Sequence, residues 1–428
     1  MIQEAEYKKR RERFAKKLKP NSVALFFSAQ PKRRSNDTEY PYRQDSNFYY
    51  LSGFKEDSAA LCFVKKNKKT VVYLFVHKKD PLQELWNGKR LGVEGAKKYF
   101  DVDGVFEYEE LSRNLDEMIK EKQSFYYDFA LDATKELFIR KYMKNMDAIY
   151  NAAWIVQKMR LIKSDAEIAL IKKALTITKE AHHKAMQIAK ELEYEYELQA
   201  EIEYIFKKEG AYSDAYTTIV ASGNNANTLH YINNAAKLEK NQLILIDAGC
   251  EYDYYASDIT RTIPTRGSFT KAQKELYNLV LAVEKEIISM VAPGVLRSDL
   301  QKRAEERLTQ GMVSLGILRG DVKKLIKKAK HKKYYPHGIG HWMGLDVHDE
   351  APYKSKKGKE IPLEAGMVLT IEPGLYIDEA DRSVPKRYRG IGIRIEDDIL
   401  VTKEGYENLS SDIAKEIEEI THKHNSSQ

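Results

Sequence analysis

The sequence predicts two domains, an α/β domain over residues 1–155 and an α+β domain over residues 156–428. Three observations carry that expectation. Apolar runs that read as strands alternate with helical patterns in the first third of the chain, the mark of an α/β layer structure. A long helical block follows, opened at Ser164 or Asp165 by residue types that cap helices. Beyond it, a short pattern of strand followed by acid occurs twice.

Residues 5–19 read as a basic amphipathic helix with Tyr7, Phe14 and Leu18 on one face, docked on the first domain and ended by Pro20-Asn21. Strands are predicted at Val23–Phe27, Ala59–Val64 and Thr70–Val76. Between the first two lies RSNDTEYPYRQDSNFYYLSGF, a loop dense in Tyr, Asp, Asn and Arg that suits a pocket lining and a plain domain contact equally. A helix is expected over Lys135–Met146. The stretch MRLIKSDAEIALIKKAL then places Ile168, Ile171 and Leu175 on one helical face, and helices continue to about Gly210. His182 and His183 point in different directions on that block, which suits core or solvent better than ligation. Thr217–Val220 reads as a strand leading into SGNNANTLHY, a turn-rich loop that presents His230. Lys271–Val291, Gln301–Leu308 and Asp321–Ala329 read as helices, the last two flanking a loop over Gly311–Gly320. The polar tail beyond about Glu418 reads as frayed.

The chemistry gathers in NQLILIDAGCEYDYYASDITRTIP, Asn241–Pro264. Leu243–Ile246 forms a buried strand ending at Asp247, and Asp258 opens the β-branched run Ile259–Ile263. Paired as a hairpin with its turn between Tyr252 and Asp253, the two acids stand opposite each other, with Cβ atoms roughly 4.5–5.5 Å apart. Two buried like charges that close need a proton or a cation between them; the bland alternative is a solvated turn with two surface acids. A second copy argues for the cation. LEKNQLILIDAG (Leu238–Gly249) and LEAGMVLTIEPG (Leu363–Gly374) align without a gap, and Asp247 falls on Glu372. Downstream, GIRIEDD offers Glu396 as the partner of Glu372. Four acids from two hairpins imply a divalent-cation site.

The bulk composition excludes several other classes. At 428 residues, with 43% hydrophobic and 11% aromatic residues, the chain is globular rather than disordered. Basic residues number 71 against 64 acids, and a net charge of +7 does not argue for nucleic acid. The Lys-rich stretches Lys65–Lys69 and Lys323–Lys333 read as solvated surface. Two cysteines, Cys62 and Cys250, exclude a disulfide framework and fit a reducing, cytoplasmic compartment. Cys250 reads as a buried neighbour of Asp247. No apolar run nears the roughly 18–20 residues of a membrane span. MIQEAEYKKRRERF lacks an apolar signal core, and its three glutamates argue against a transit peptide.

His337, His341 and His348 lie within PHGIGHWMGLDVHD. The spacing of the first two matches a helical metal pair, but Gly338 and Gly340 favour a loop or strand, and no HExxH is present. Imidazoles among carboxylates, with no thiolate, favour Mn²⁺, with Zn²⁺, Co²⁺ and Fe²⁺ as alternatives. Two divalent ions against four carboxylates make a nearly neutral centre, the ions roughly 3.5–4 Å apart as in dinuclear hydrolases.

Over essentially its full length the sequence resembles the proline-specific aminopeptidase P (Xaa-Pro aminopeptidase) family of dinuclear pita-bread metallopeptidases. The residues that carry this are EYPYRQDSNFYYLSGF, MRLIKSDAEIALIKKAL, SGNNANTLHY, LILIDAGCEYDYYASDITRT, HGIGHWMGLDVHD, LTIEPGLYI and YRGIGIRIEDDI. The N-terminal match separates the chain from methionine aminopeptidases. The resemblance implies an aminopeptidase P-type N-terminal domain and a pita-bread (creatinase/aminopeptidase-like) catalytic domain. It implies that Asp247, Asp258, His341, Glu372 and Glu396 hold two divalent ions, with Asp258 and Glu396 bridging them. Glu372 becomes the proton shuttle for a bridging hydroxide that attacks the Xaa-Pro carbonyl, and His348 and His230 contact the scissile peptide and the tetrahedral intermediate. His337, Arg394 and Tyr376 fall near the substrate. Asp37 matches an acid reaching toward the cleft, and Trp86 a residue that can come from a neighbouring subunit of a homodimer or homotetramer. The Lys-rich segment 349–367 departs from the family pattern. An Xaa-Pro dipeptidase (prolidase) and a non-catalytic binding protein on the same fold are the rivals.

Overall fold

Ser22–Phe27 (β1), wholly buried, is a central strand of the first of two units into which the chain divides, Met1–Arg160 and Leu161–Gln428. The computed structural model describes residues 1–120, 123–144, 146–266 and 268–425. Arg33–Ser35 (β2) and Thr38–Glu39 (β3) make a separate exposed ribbon. Ala60–Lys66 (β4) pairs antiparallel with β1, and Lys69–Val76 (β5) with β4. Gly104–Glu107 (β6), Ser124–Tyr127 (β7) and Ala148–Asn151 (β8) add in parallel, giving the order β6-β5-β4-β1-β7-β8. The N-terminal helix, Glu4–Lys17, seats Phe14 between Phe26 and Phe63, with ring centroids 5.1 and 4.8 Å away. Arg10 and Arg11 are buried on the same helix and donate to the carbonyls of Tyr50 and Leu51, so the docking face is part polar. The aromatic-rich stretch, read from sequence as one loop, is one-third helix. Asp45 accepts from the Phe48 N–H at 2.8 Å and starts Ser46–Ser52, whose Phe48, Tyr49, Tyr50 and Leu51 are core.

The second unit opens on a 24-residue helix, Asp165–Ile188. Ser164 caps it through a reciprocal pair with Glu167. His182 is buried mid-helix and hydrogen-bonded to the Ala248 carbonyl at 3.0 Å, and burial pushes its pKa down to about 3, so it is a neutral core residue. After the helix Glu195–Lys208 come Ser213–Asp214 (β9), Ile219–Ser222 (β10), Leu243–Asp247 (β11), Cys250–Tyr252 (β12), Tyr255–Ala256 (β13) and Thr260–Pro264 (β14). They form two three-stranded sheets, β10-β11-β14 and β13-β12-β9.

Burial, then the charges of Glu203 and Glu251, push Asp214 from an ordinary 3.8 up to about 6. The folded state therefore holds a proton there that the unfolded chain has released, and stability falls as pH rises through that window. Asp214→Asn is expected to stabilise the protein above pH about 6 and to leave it unchanged below pH about 4. Denaturant midpoints at the two pH values check this, and an equal shift at both would refute it.

Helices Lys271–Ser289, Arg297–Ser314 and Val322–Lys327 follow. The sequence ended the middle one at Leu308 and began a loop at Gly311, but the helix runs through Gly311. A Cβ there would lie 2.2 Å from Leu279 Cδ1, so the glycine serves a close helix crossing rather than a break. Val368–Ile371 (β15), Gly374–Ile377 (β16), Ile391–Arg394 (β17), Asp397–Val401 (β18) and Tyr406–Asn408 (β19) complete the strands, ordered β15-β18-β19 and β16-β17. The expected frayed tail is instead the helix Ile417–Asn425, anchored by buried Ile417 and Ile420; residues 426–428 lie outside the described residues. Among the described residues no helix is long and apolar enough to cross a membrane.

Candidate metal centre

The first hairpin forms, with a register two residues longer than the sequence suggested. Asp247 pairs with Thr260, not Asp258, and the turn is centred on Asp253 and Tyr254, both at positive φ (51° and 70°) as a two-residue hairpin turn requires. A shift of two keeps every side chain on its face, whereas a shift of one would turn Asp258 away from Asp247. Asp258 faces Gly249 instead. A Cβ on Gly249 would fall 1.9 Å from the Ser257 carbonyl oxygen, so only glycine admits that approach.

In the second hairpin β15 pairs with β18 at Ile371–Asp397 and β16 with β17 at Gly374–Arg394, and the register between them sets Glu372 across from Glu396. The segment bearing His341 runs beside β15. The N–H of Thr370 donates to the His341 carbonyl (2.9 Å) and that of Glu372 to the Ile339 carbonyl (2.8 Å). His341 is thus on extended backbone, as its glycines implied.

These elements bring the acids together. Ligand atoms of Asp258, His341 and Glu396 all lie within 4.8 Å of one another. His341 Nε2 is 3.3 Å from Asp258 Oδ2 and 3.7 Å from Glu372 Oε1. Arg394 holds the other side: Nη2 donates to Asp247 Oδ2 (2.5 Å) and Nε to Thr260 Oγ1 (3.0 Å), which donates to Glu396 Oε2 (2.7 Å). The Tyr216 hydroxyl donates to Asp247 Oδ1 at 2.6 Å. Sequence reasoning missed Tyr216 and Thr260. The correct hairpin register would have found Thr260, whereas Tyr216 carries no local signal.

The electrostatics test whether cations fit. Burial raises the pKa of Asp247 despite Arg394, and raises Glu396 well above the carboxylate range, with Asp258 adding to it. Burial likewise pushes Glu372 up to about 7 against the charges of His341 and Arg394. Burial disfavours a charged His341, but its hydrogen bond to Asp258 and the charge of Glu372 outweigh this and push it up to about 9. His341 Nδ1 meets the Trp342 carbonyl at 3.0 Å, which fixes its proton there and turns Nε2 toward the acids. The site is short of positive charge, and four carboxylates with one imidazole suit hard divalent ions. The residues fit.

Of the remaining predicted residues, His230, His337, His348 and Arg394 line a cleft of about 490 Å³. His337 Nε2 meets the Tyr376 hydroxyl at 2.8 Å, and Arg394 Nη1 donates to the same oxygen at 3.1 Å. Burial and Arg394 push His337 down to about 4, and burial pushes Tyr376 up to about 12, so both are neutral at pH 7. His230 and His348 are exposed where they line the cleft, and Ile219, Leu229, Ile232 and Val347 supply apolar surface. Asp37 and Trp86 belong to the first unit, Asp37 exposed in the β2–β3 turn and Trp86 82% exposed on the helix Pro81–Asn87. In the Lys-rich segment, Asp349 forms a fully buried ion pair with Lys163 (3.0 Å).

Comparison with known proteins gives a consistent set of relatives. The model of metallopeptidase family M24 matches residues 169–403, and that of the aminopeptidase P N-terminal domain matches residues 7–126. The chain is 41% identical to an Xaa-Pro aminopeptidase of Haemophilus influenzae over 97% of this chain and 96% of that one. It is 40% identical to an Xaa-Pro aminopeptidase of Escherichia coli over 98% of this chain and 97% of that one. The solved structure of zinc-substituted E. coli aminopeptidase P in complex with product superposes with a TM-score of 0.95 at 37% identity, covering 100% of this chain and 99% of that one.

Proposed function

The chain belongs to metallopeptidase family M24, and on that footing we propose that it is an Xaa-Pro aminopeptidase, releasing the first residue of peptides with proline second. The observation that carries this is the convergence of Asp247, Asp258, Glu372, Glu396 and His341 in the lining of one cleft. Those five residues would hold two divalent ions, which we take to be Mn²⁺. When bound, the ions supply the Lewis acidity that ionises water near neutral pH and polarises the scissile carbonyl.

The protein's own groups do the rest. Glu372 takes a proton from the attacking water and returns it to the leaving nitrogen. That proton matters because the proline nitrogen carries no hydrogen of its own. His230 and His348 face the peptide from the cleft wall and donate to the oxygen that becomes negative. Arg394 opposes the burial that raises the pKa of Asp247 and, through Thr260, orients Glu396. Leu82, Leu85 and Trp86, 68%, 79% and 82% exposed on one short helix, support a homodimer or homotetramer in which Trp86 serves a neighbouring copy. Two buried free cysteines support a reducing, cytoplasmic setting.

Protein stripped of metal and resupplied with Mn²⁺ is expected to release the first residue from Xaa-Pro-Xaa tripeptides, and the stripped protein to be inactive. Cleavage of Xaa-Pro dipeptides alone would replace this reading with a dipeptidase. No cleavage of either, with two ions bound, would overturn the substrate class.

A further inference from the structure

Glu195 is wholly buried in the first turn of the helix Glu195–Lys208, and its carboxylate takes no part in the centre just described. Five donors converge on it. Oε1 accepts from the Ser222 N–H (2.7 Å), the Ser222 hydroxyl (2.8 Å) and Asn225 Nδ2 (3.0 Å). Oε2 accepts from the Tyr231 hydroxyl (2.8 Å) and the Ala236 N–H (2.8 Å). All five lie within residues 222–236. One turn along the helix, Gln199 Oε1 accepts from Asn234 Nδ2 (2.8 Å), and Asn234 Oδ1 accepts from the Val220 N–H (2.9 Å). One helix face therefore grips this segment at both ends and in the middle.

Between the gripped points the segment sends Leu229, His230 and Ile232 to the cleft. Past Ser222, the end of β10, its only helical turn is the 3-10 turn Gly223–Asn227. His230 and Ile232 are themselves exposed, while Leu229 and Tyr231 beside them pack on the cluster of Ile219, Ala221, Ala226, Leu245 and Tyr376. A buried carboxylate satisfied by five donors is costly to disturb. This one is applied wholly to a segment that carries none of the five proposed ligands.

We propose that Glu195 is a positioning residue for the substrate side of the cleft, holding residues 222–236 so that His230 and Ile232 meet the bound peptide. This rests on the Xaa-Pro aminopeptidase reading above. The test is Glu195→Gln in the Mn²⁺-loaded, full-length protein, at a temperature where variant and wild type are both folded. Amide hydrogen exchange at Ser222 and Ala236 is expected to accelerate about tenfold or more, kcat on an Xaa-Pro-Xaa tripeptide to fall about tenfold or more, and Mn²⁺ affinity to stay within about twofold. A merely structural role would lower the melting temperature and leave kcat per folded, metal-loaded molecule unchanged. That result, unaltered exchange, or metal affinity lost in step with turnover would each overturn the assignment. Wild-type turnover is the control: if it is absent, the activity reading falls and this role with it; if it is present, only the role of Glu195 is at stake. Should Glu195→Gln not fold, Tyr231→Phe, which removes one donor of the five, is expected to show the same pattern at about threefold, and no change would be decisive against it.

Discussion

Glu372→Ala is expected to abolish turnover, with kcat falling about 10³-fold or more, because one side chain is lost as both metal ligand and proton carrier. The same variant is expected to be at least as stable as the wild type once both are stripped of metal. Glu372 shares its site with Asp258, Asp247 and Glu396, and its upward-shifted pKa records the burial and the like charges it endures there. Removing it relieves that burial and the repulsion from Asp258 and Asp247, which together outweigh the lost attraction to His341 and Arg394. Its side chain borders the open cleft, so truncation leaves no closed cavity to raise the cost. Its hydrogen bond from Thr370 Oγ1 is long, at 3.4 Å. Adding Mn²⁺ should reverse the order, since the wild type gains stability by mass action and the variant gains less. Scanning calorimetry with and without Mn²⁺, beside a tripeptide assay, reads both effects. Turnover above about a hundredth of wild type in a metal-loaded variant would remove Glu372 from the chemistry.

Arg261→Met is expected to cost about 3–5 kcal/mol of folding stability, the usual range for breaking a buried ion pair from one side. Arg261 and its partner Asp397 are both fully buried, 2.7 Å apart. The guanidinium also donates to the carbonyls of Thr260 (3.0 Å), Glu396 (2.6 Å), Ile413 (3.0 Å) and Ala414 (3.0 Å), tying both ligand-bearing hairpins to the C-terminal segment. Lys415, bonded to Asp397 and to Glu284, and Asn408 soften the loss by keeping partners on Asp397. Because Arg261 touches the backbone of Thr260 and of Glu396, Mn²⁺ affinity should fall with stability, about tenfold or more. Urea titration and a metal titration check the two. A stability loss under about 1 kcal/mol would mean that Lys415 alone neutralises Asp397.

Local pattern reaches far in this chain. The strands around β1, the Ser164 cap and the acids ending β11 and β15 are written in short-range alternation and capping, which depend on neighbours within a few residues. So is the shared face of Asp247 and Asp258, because strand parity survives a two-residue error in register. What the sequence by itself determined, then, is which residue types stand at which strand ends, and on which face. The tertiary structure decided the rest. Asp247 faces Thr260 because Gly249 and the turn at Asp253-Tyr254 set the hairpin's length, and several local registers satisfy the same alternation. Gly311 continues a helix because Leu279 packs over it. Arg394 and Tyr216 reach Asp247 from 147 and 31 residues away, and Glu195 finds its donors 27 or more residues away. A buried polar group is satisfied by whatever donor the packed fold brings within about 3 Å, and that proximity is a property of the assembled core rather than of any stretch of the chain.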